Sequence, residues 1–513
     1  MSIRTIQSSA MLPRHTAWAG KNTGGSITDT TKPWVRNPSW LAMPTVLDTD
    51  QKFVGLVAVF PESSFLALTA AGAYTIDWGD GMVENIVSGV QANHLYDFAD
   101  ADLDNTNAPV TLTDAGDLVT RTTHGYSDGM GVRFYNIVTT TGLSEGQVYY
   151  VINATANTFQ VSATVGGSAL ALTGDGSAAL LPYKQALVTV TPQAGQNLTA
   201  LNLNVKHSQT GLQAYDAGWL DLLLGSPNFS TTGLVLAANS TTLNVRMSYV
   251  ERVVIKNLGN TTDLSYRFYY MTKLRSVVLP STAAVTNMSS MFQYCYSLQT
   301  VPLFNTAAVT NMISMFYGCY SLQTVPLFNT QAVNNMSSMF FNCYSLQTVP
   351  LFNIKTTGTI DMSYMFYNCY SLQTVPLFNI KTTSTIIMSS MFQNCLSLQT
   401  VPLFNTQAVI NMSYMFSNCY SLQTVPALVT TAVASSTNFS NMFNTCNNLA
   451  RIQAKNFRYT FSVASCKLSA TALNEIYTNL PTVTAQTITV TGNYGTTSDT
   501  PTIATAKGWT VTG

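Results

Sequence analysis

The sequence predicts a multidomain, mainly β protein that ends in a solenoid. Three observations carry that prediction. A near-identical unit of 24 to 27 residues recurs from about Thr286 to Cys446. From Phe53 onward, short apolar runs alternate with period 2 between turn residues. At 513 residues the chain also exceeds the size at which one hydrophobic core keeps growing, so it should divide.

The repeating unit reads Met-Phe-x-x-Cys-Tyr-Ser-Leu-Gln-Thr-Val-Pro-Leu-Phe-Asn. Its Met falls at 291, 315, 339, 365, 391, 415 and 442, in steps of 24, 24, 26, 26, 24 and 27. Phe268, Met271 and Leu274 align as a degenerate first unit, as expected of a terminal repeat that lacks one neighbour. Within a unit, Met288, Met291, Phe292, Cys295 and Leu298 recur at the spacing of one face of a helical turn or short helix. Leu298, Val301 and Leu303 then follow the spacing of a short buried strand. Pro302, Pro326, Pro350, Pro376, Pro402 and Pro426 lie inside that strand, where each removes a ladder donor, so the strands must be very short or irregular.

The pattern M-x-x-M-F-x-x-C-x-x-L followed by a short strand resembles the BspA-type leucine-rich repeat of surface proteins. That resemblance implies a leucine-rich-repeat solenoid with a recognition role over residues 266–450. Residues 201–265 are expected to cap its N-terminal end and residues 451–513 its C-terminal end. Within the latter, Leu468, Leu473, Ile476 and Leu480 mark a helix, followed by a strand in QTITVTG. The two 26-residue steps arise from eight residues, rather than six, between Asn353 or Asn379 and the next Met. Such insertions map to loops on one edge, and they hold Lys355, Asp361 and Lys381, the only charges between Ser281 and Ala450.

Upstream, Thr75-Ile76-Asp77-Trp78-Gly79-Asp80-Gly81 ends a strand signal, and His94-Leu95-Tyr96 lies on a later one. Gly79 and Gly81 permit positive φ in a tight hairpin, Asp80 can bond its own backbone there, and Trp78 reads as a core anchor. W-G-D-G with a following H-x-Y resembles PKD-type domains, which implies an immunoglobulin-like β-sandwich over residues 51–200. The candidate last strand, Ala186 to Pro192, comes late, so a small β domain is expected as an insertion at about 105–182. Its stretch GLSEGQVYYVINATANTFQVSAT resembles a β module recurrent in bacteriophage structural proteins. Residues 1–50 are rich in Ser, Thr, Gly and Pro, with Trp18, Trp34 and Trp40 among them, and read as an extended arm that attaches to another protein.

Composition narrows the function. Lys plus Arg equals Asp plus Glu at 23 each, and only 9% of residues are charged, so no basic field invites nucleic acid or an anionic membrane. The first 20 residues hold no apolar run of signal-peptide length, so Sec export is not expected, and no window offers about 18 uninterrupted apolar residues for a transmembrane helix.

The eight cysteines, Cys295 through Cys466, fall on the inward face and read as buried free thiols, without the Cys-x-x-Cys spacing of a metal site. Asp97, Asp100, Asp102 and Asp104 fail the EF-hand template, because Asn105 stands where Gly is needed and Thr111 where Glu is needed. His15, His94, His124 and His207 are scattered, and no catalytic motif accompanies them. No enzyme activity, cofactor or metal is expected.

The candidate binding face is a ladder of Tyr296, Tyr320, Tyr344, Tyr370 and Tyr420, interrupted by Leu396, beside Gln299, Gln323, Gln347, Gln373, Gln399 and Gln423. If both columns face outward they offer aromatic and amide groups without charge to a host glycan or protein. The combination implies a structural bacteriophage virion protein of tail-fibre, baseplate or head-fibre type. On that reading it is anchored to other virion proteins by its N-terminal arm, is homo-oligomeric, and is released by lysis. A bacterial surface adhesin and a purely structural decoration protein are the alternatives.

Overall fold

The computed structural model describes residues 34–513, apart from 61–63, 105–107, 206, 208–217, 238–248, 354–357, 379–383, 430, 434 and 436. Trp18, His15, Lys355 and Lys381 therefore lie outside the described residues. The chain is mainly β and forms two compact units. One comprises Met1–Ala42, Ala58–Ser63 and Asp97–Ala186, and the other Met43–Val57, Ser64–Tyr96 and Leu187–Gly513.

The first unit is built on a seven-stranded sheet. Its order is Gly131–Val132, Tyr149–Ile152, Thr158–Ser162, Leu118–Thr120, Pro109–Thr113, Gly176–Ala179 and Tyr135–Val138. Alternation along these strands sends Leu112, Val119, Val151 and Phe159 inward. Trp40 is buried in this unit, and its indole N–H donates to the Tyr183 hydroxyl at 3.0 Å.

In the second unit a seven-stranded sheet runs in the order Ser276–Val278, Arg252–Ile255, Trp219–Gly225, Lys52–Val59, Lys184–Pro192, Tyr74–Asp77 and Val83–Ile86. A four-stranded sheet holds Leu234–Val235, Ala200–Asn202, Ser64–Ala71 and Gln91–Tyr96. Pairing in the larger sheet changes character along its width. Lys52–Val59 pairs antiparallel with Trp219–Gly225, but Trp219–Gly225, Arg252–Ile255 and Ser276–Val278 pair in parallel. The parallel stacking of the solenoid thus starts inside this sheet.

The W-G-D-G segment forms the expected hairpin. Gly79 and Gly81 have φ of 77° and 86°, and a Cβ on Gly79 would sit 2.6 Å from the Leu187 nitrogen. The Met82 N–H donates to Asp80 Oδ1 at 3.2 Å, and Trp78 is fully buried. His94 stacks on Trp78 at 4.7 Å and meets Asp80 Oδ2 at 2.5 Å, while the Tyr96 hydroxyl donates to the Trp78 carbonyl at 2.8 Å.

The C-terminal part is a β-solenoid of about nine turns. Its core is a set of columns along the axis. Phe268, Phe292, Phe316, Phe340, Phe366, Phe392, Phe416 and Phe443 stack face to face at 5.0 to 6.0 Å. A second buried column, Phe304, Phe328, Phe352, Phe378 and Phe404, leans against the first at 6.1 to 6.4 Å. Met288, Met291, Cys295, Leu298 and their equivalents are also buried, and so are Met271 and Leu274 of the degenerate first unit.

Two local expectations are corrected. The segment from Met288 to Leu298 is not helical but a run of turns. Its Ser290 and Tyr294 adopt left-handed φ of 53° and 65°, and the same two positions do so in the following coils. Alternate amides then leave the local chain. The N–H groups of Met288, Ser290, Phe292 and Tyr294 donate to the carbonyls of Asn311, Ile313, Met315 and Tyr317 in the next coil at 2.8 to 3.0 Å. Those of Met291, Gln293 and Cys295 close turns three residues back. An α-helix would have spent all these amides within one coil; the turn run keeps the inward spacing and still ties the coils together.

Nor do Leu298, Val301 and Leu303 form a strand in the central coils. Leu298 and Val301 are buried, but Leu303, Leu327, Leu351, Leu377 and Leu403 are 46 to 69% exposed, and the following Phe turns inward in their place. The prolines account for this. Where the equivalent segment lacks proline, Ser276–Val278 is a strand. Where Pro426 is present, Thr424–Val429 pairs with Arg451–Lys455 only by shifting register between Val425 and Leu428. Parallel bridges instead join Asp263, Asn287, Asn311, Asn335 and Asp361, and the two longer coils widen this site into Gly358–Asp361 and Ser384–Ile387, the latter pairing onward with Val409–Asn411.

At the C-terminal end, helix Ala470–Asn479 buries Leu473, Ile476 and Tyr477, and Ser469 caps its start by accepting from the Ala472 N–H. Lys507 Nζ donates to the carbonyls of Tyr477, Thr478 and Leu480, satisfying groups that the helix end leaves open. Beyond it, Phe461–Ser462, Gln486–Thr489 and Trp509–Thr512 pair in parallel.

Candidate recognition face

The tyrosine column sits immediately after the buried cysteines. Tyr296, Tyr320, Tyr344 and Tyr370 stack with ring centroids 4.6, 4.8 and 4.8 Å apart and planes within 8° of parallel. Stacking uses up the ring faces, so these side chains offer solvent their edges and hydroxyls rather than open aromatic planes. Burial, and after it the neighbouring tyrosines, raise the pKa of Tyr296 and Tyr344 above the ordinary phenol value. Tyr296 and Tyr344 therefore stay neutral through physiological pH. At Leu396 the column is broken, and Tyr370 and Tyr420 on either side are 38% and 46% exposed.

The glutamines lie three residues on, past the buried leucine. Their backbones form a continuous ladder in which each of Gln323, Gln347, Gln373, Gln399 and Gln423 donates its N–H to the preceding glutamine carbonyl at 2.9 to 3.3 Å. Gln347, Gln373, Gln399 and Gln423 are exposed, while Gln299 and Gln323 are half-buried. Tyr and Gln are thus brought into adjacent axial columns.

Two flanking columns escaped the sequence reading. Tyr317, Phe341 and Tyr367 form a second stack at 4.6 and 4.5 Å. Asn342, Asn368, Asn394 and Asn418 form an amide ladder, each Nδ2 donating to the preceding Oδ1 at 2.6 to 2.7 Å. The asparagines adopt left-handed φ of 59° to 63°, which this residue tolerates well. Both columns were visible only by aligning the variable positions of the repeat.

The other singled-out residues are occupied structurally. All eight cysteines are free and buried, and the repeat thiols donate to the phenylalanine carbonyl of the preceding coil, as Cys319 does to Phe292 at 3.1 Å. Burial pushes these thiols well up from their ordinary range. Asp97 and Asp100 accept from the Ala99 and Asp102 amides in local turns. Among the described residues no group of three or more His, Cys, Asp or Glu side chains is arranged to hold a metal ion. His124 accepts from the Tyr126 N–H at 2.9 Å, and His207 packs against Phe65. Among the described residues no helix is long and apolar enough to cross a membrane.

This geometry defines a mainly β protein with a repeat solenoid whose coils present matching outward columns. Residues 262–376 and 360–476 match the family model described as Mycoplasma protein of unknown function, DUF285. No curated protein matches the chain. Among solved structures, a plant peptide hormone receptor, RGFR1 in complex with RGF2, is similar at 13% identity with a TM-score of 0.20. The match covers 48% of this chain and 48% of that one, so the chain spans about half the length of that receptor chain. A likeness at that score carries no inference for this chain.

Proposed function

We propose that the chain is a non-enzymatic structural protein of a bacteriophage particle, of tail-fibre, baseplate or head-fibre type, that displays its solenoid for host-surface recognition. The observation that carries the reading is the uncharged Tyr and Gln column pair repeated in register along consecutive coils. Many copies of one weak contact, multiplied by copies on a particle, give avidity without a deep pocket. The resemblance of residues 142–164 to phage β modules supports the virion setting. The W-G-D-G hairpin, with His94 and Tyr96 packed on Trp78, supports reading residues 51–200 as a PKD or immunoglobulin-like domain. The proposed partners are other virion proteins at the N-terminal arm, further copies of the chain, and a host glycan or protein.

Mass spectrometry of purified particles from the source strain tests the virion assignment, and competition by excess purified chain tests recognition. Presence in the particle with blocked adsorption is expected. Absence from particles overturns the virion reading, and presence without competition overturns host recognition in favour of a decoration protein. A second reading, a bacterial surface adhesin, is favoured by the match of residues 262–476 to a family described from Mycoplasma. Surface labelling of intact cells in the absence of particles would establish it.

A further inference from the structure

We propose that the break in the tyrosine ladder at Leu396 is a subsite for one neutral pyranose ring, held between Tyr370 and Tyr420. The inference rests on the recognition reading above and sharpens it to one place and one ligand class. Elsewhere in the column each ring covers the next: the Tyr296, Tyr320, Tyr344 and Tyr370 planes lie 4.6 to 4.8 Å apart, too close for anything to enter. Tyr370 is stacked on Tyr344 within 2° of parallel, so its second face is directed along the axis toward the next coil. There the column holds Leu396, which is half-buried and carries no ring. Tyr420 stands in the same column one coil further on, and both tyrosines are more exposed than the stacked members behind them.

The dimensions fit a saturated six-membered ring. Two axial steps separate Tyr370 from Tyr420, which gives a gap of about 10 Å. A puckered ring seated there can lie at about 3.5–4.0 Å from one flanking ring face, the optimum for carbon contacts, and the remaining width takes its axial hydrogens and hydroxyls. Leu396 supplies an apolar floor for the C–H groups of such a ring. The exposed amides of Gln373, Gln399 and Gln423 rise beside the break, each with donors and an acceptor for equatorial hydroxyls. The Tyr and Gln columns themselves contain no charged residue, so they offer no counter-charge to a charged sugar, and an unpaired anion would be desolvated without compensation.

The test uses the full chain and saturation-transfer NMR with a panel of neutral oligosaccharides of glucose, galactose, mannose and N-acetylglucosamine. Wild type is expected to bind at least one of them. Leu396→Tyr completes the stack and closes the break, and should weaken that binding by about tenfold or more while leaving thermal unfolding unchanged or raised. Tyr320→Leu opens an equivalent break between Tyr296 and Tyr344 and should add a second site of the same preference. Binding that survives Leu396→Tyr overturns the subsite; if it is then lost on combining Gln347→Glu, Gln373→Glu and Gln399→Glu, the wider recognition face stands. No binding by wild type also overturns the subsite, while the particle-competition assay decides the recognition reading separately.

Discussion

Cys343 explains why a small thiol recurs along the axis. It is fully buried between Phe340 and Leu346, and its Sγ donates to the Phe316 carbonyl at 3.2 Å, so the side chain fills space and also satisfies a backbone acceptor of the preceding coil. Its raised pKa, caused first by burial and then by the adjacent Cys319 and Cys369, removes the thiolate that reagents require. Thiol titration of the native chain should therefore be slow at neutral pH and complete only in denaturant; rapid native labelling would contradict this packing. Leucines divide more sharply. Leu346→Ala should cost about 2–5 kcal/mol by opening a core cavity, whereas Leu351→Ser, five residues on, should stay within about 0.5 kcal/mol because Leu351 is 46% exposed. Urea denaturation of the two variants checks the contrast. From sequence both were placed on the inward strand. The third position of that motif was legible as apolar, but its direction was not, since each proline beside it removes the hydrogen bond that would have set strand alternation.

At the scale of one element, the turn run from Met288 to Leu298 shows where periodicity reaches its limit. Apolar residues at three- and four-residue spacing were read correctly as one buried face. That spacing is shared by a helix and by successive turns with a left-handed residue every fourth position. The clue separating them was the recurrence of Gly318, Asn342, Asn368, Asn394 and Asn418 just before five successive cysteines, residues that accept positive φ at small cost. The element also carries a pH response. Burial holds the repeat cysteines well above the ordinary thiol value of 9.0, and it raises Tyr296, Tyr320 and Tyr344 above the ordinary phenol value of 10.0 and Tyr317 to about 12. Groups with raised folded pKa values contribute stability that is whole below the unfolded value and lost as pH climbs toward the folded one. The urea midpoint should be insensitive to these groups up to pH 9 and fall progressively between 9 and 12. A midpoint that stayed level across that range would mean the columns are solvated. Tyrosinate absorbance should likewise appear at higher pH in the native chain than in the urea-unfolded one.

For the whole molecule, the decisive property is that the coils are interchangeable while the ends are not. Each interior coil contacts its neighbours through the same Phe, Cys and Gln columns, so removing one complete coil rejoins identical surfaces. Deleting residues 312–335, which is 24 residues, joins Asn311 to Met336 and keeps every column aligned. The shortened chain should fold with the parent's circular dichroism and lose only the stability of one unit and its interface. Deleting half as much, residues 312–323, sets core positions against outward ones and should give an aggregating chain or one without cooperative unfolding. The N-terminal end is different, because the parallel stack grows out of Trp219–Gly225, which pairs on its other side with Lys52–Val59. Cutting between Ile255 and Ser276 would strip the first coils of the sheet that starts them, leaving an open edge of unpaired amides. Residues 266–513 expressed alone should therefore be far less soluble than residues 34–513. If the isolated repeats prove monomeric and as stable as the longer chain, the solenoid does not depend on that sheet as its starting edge.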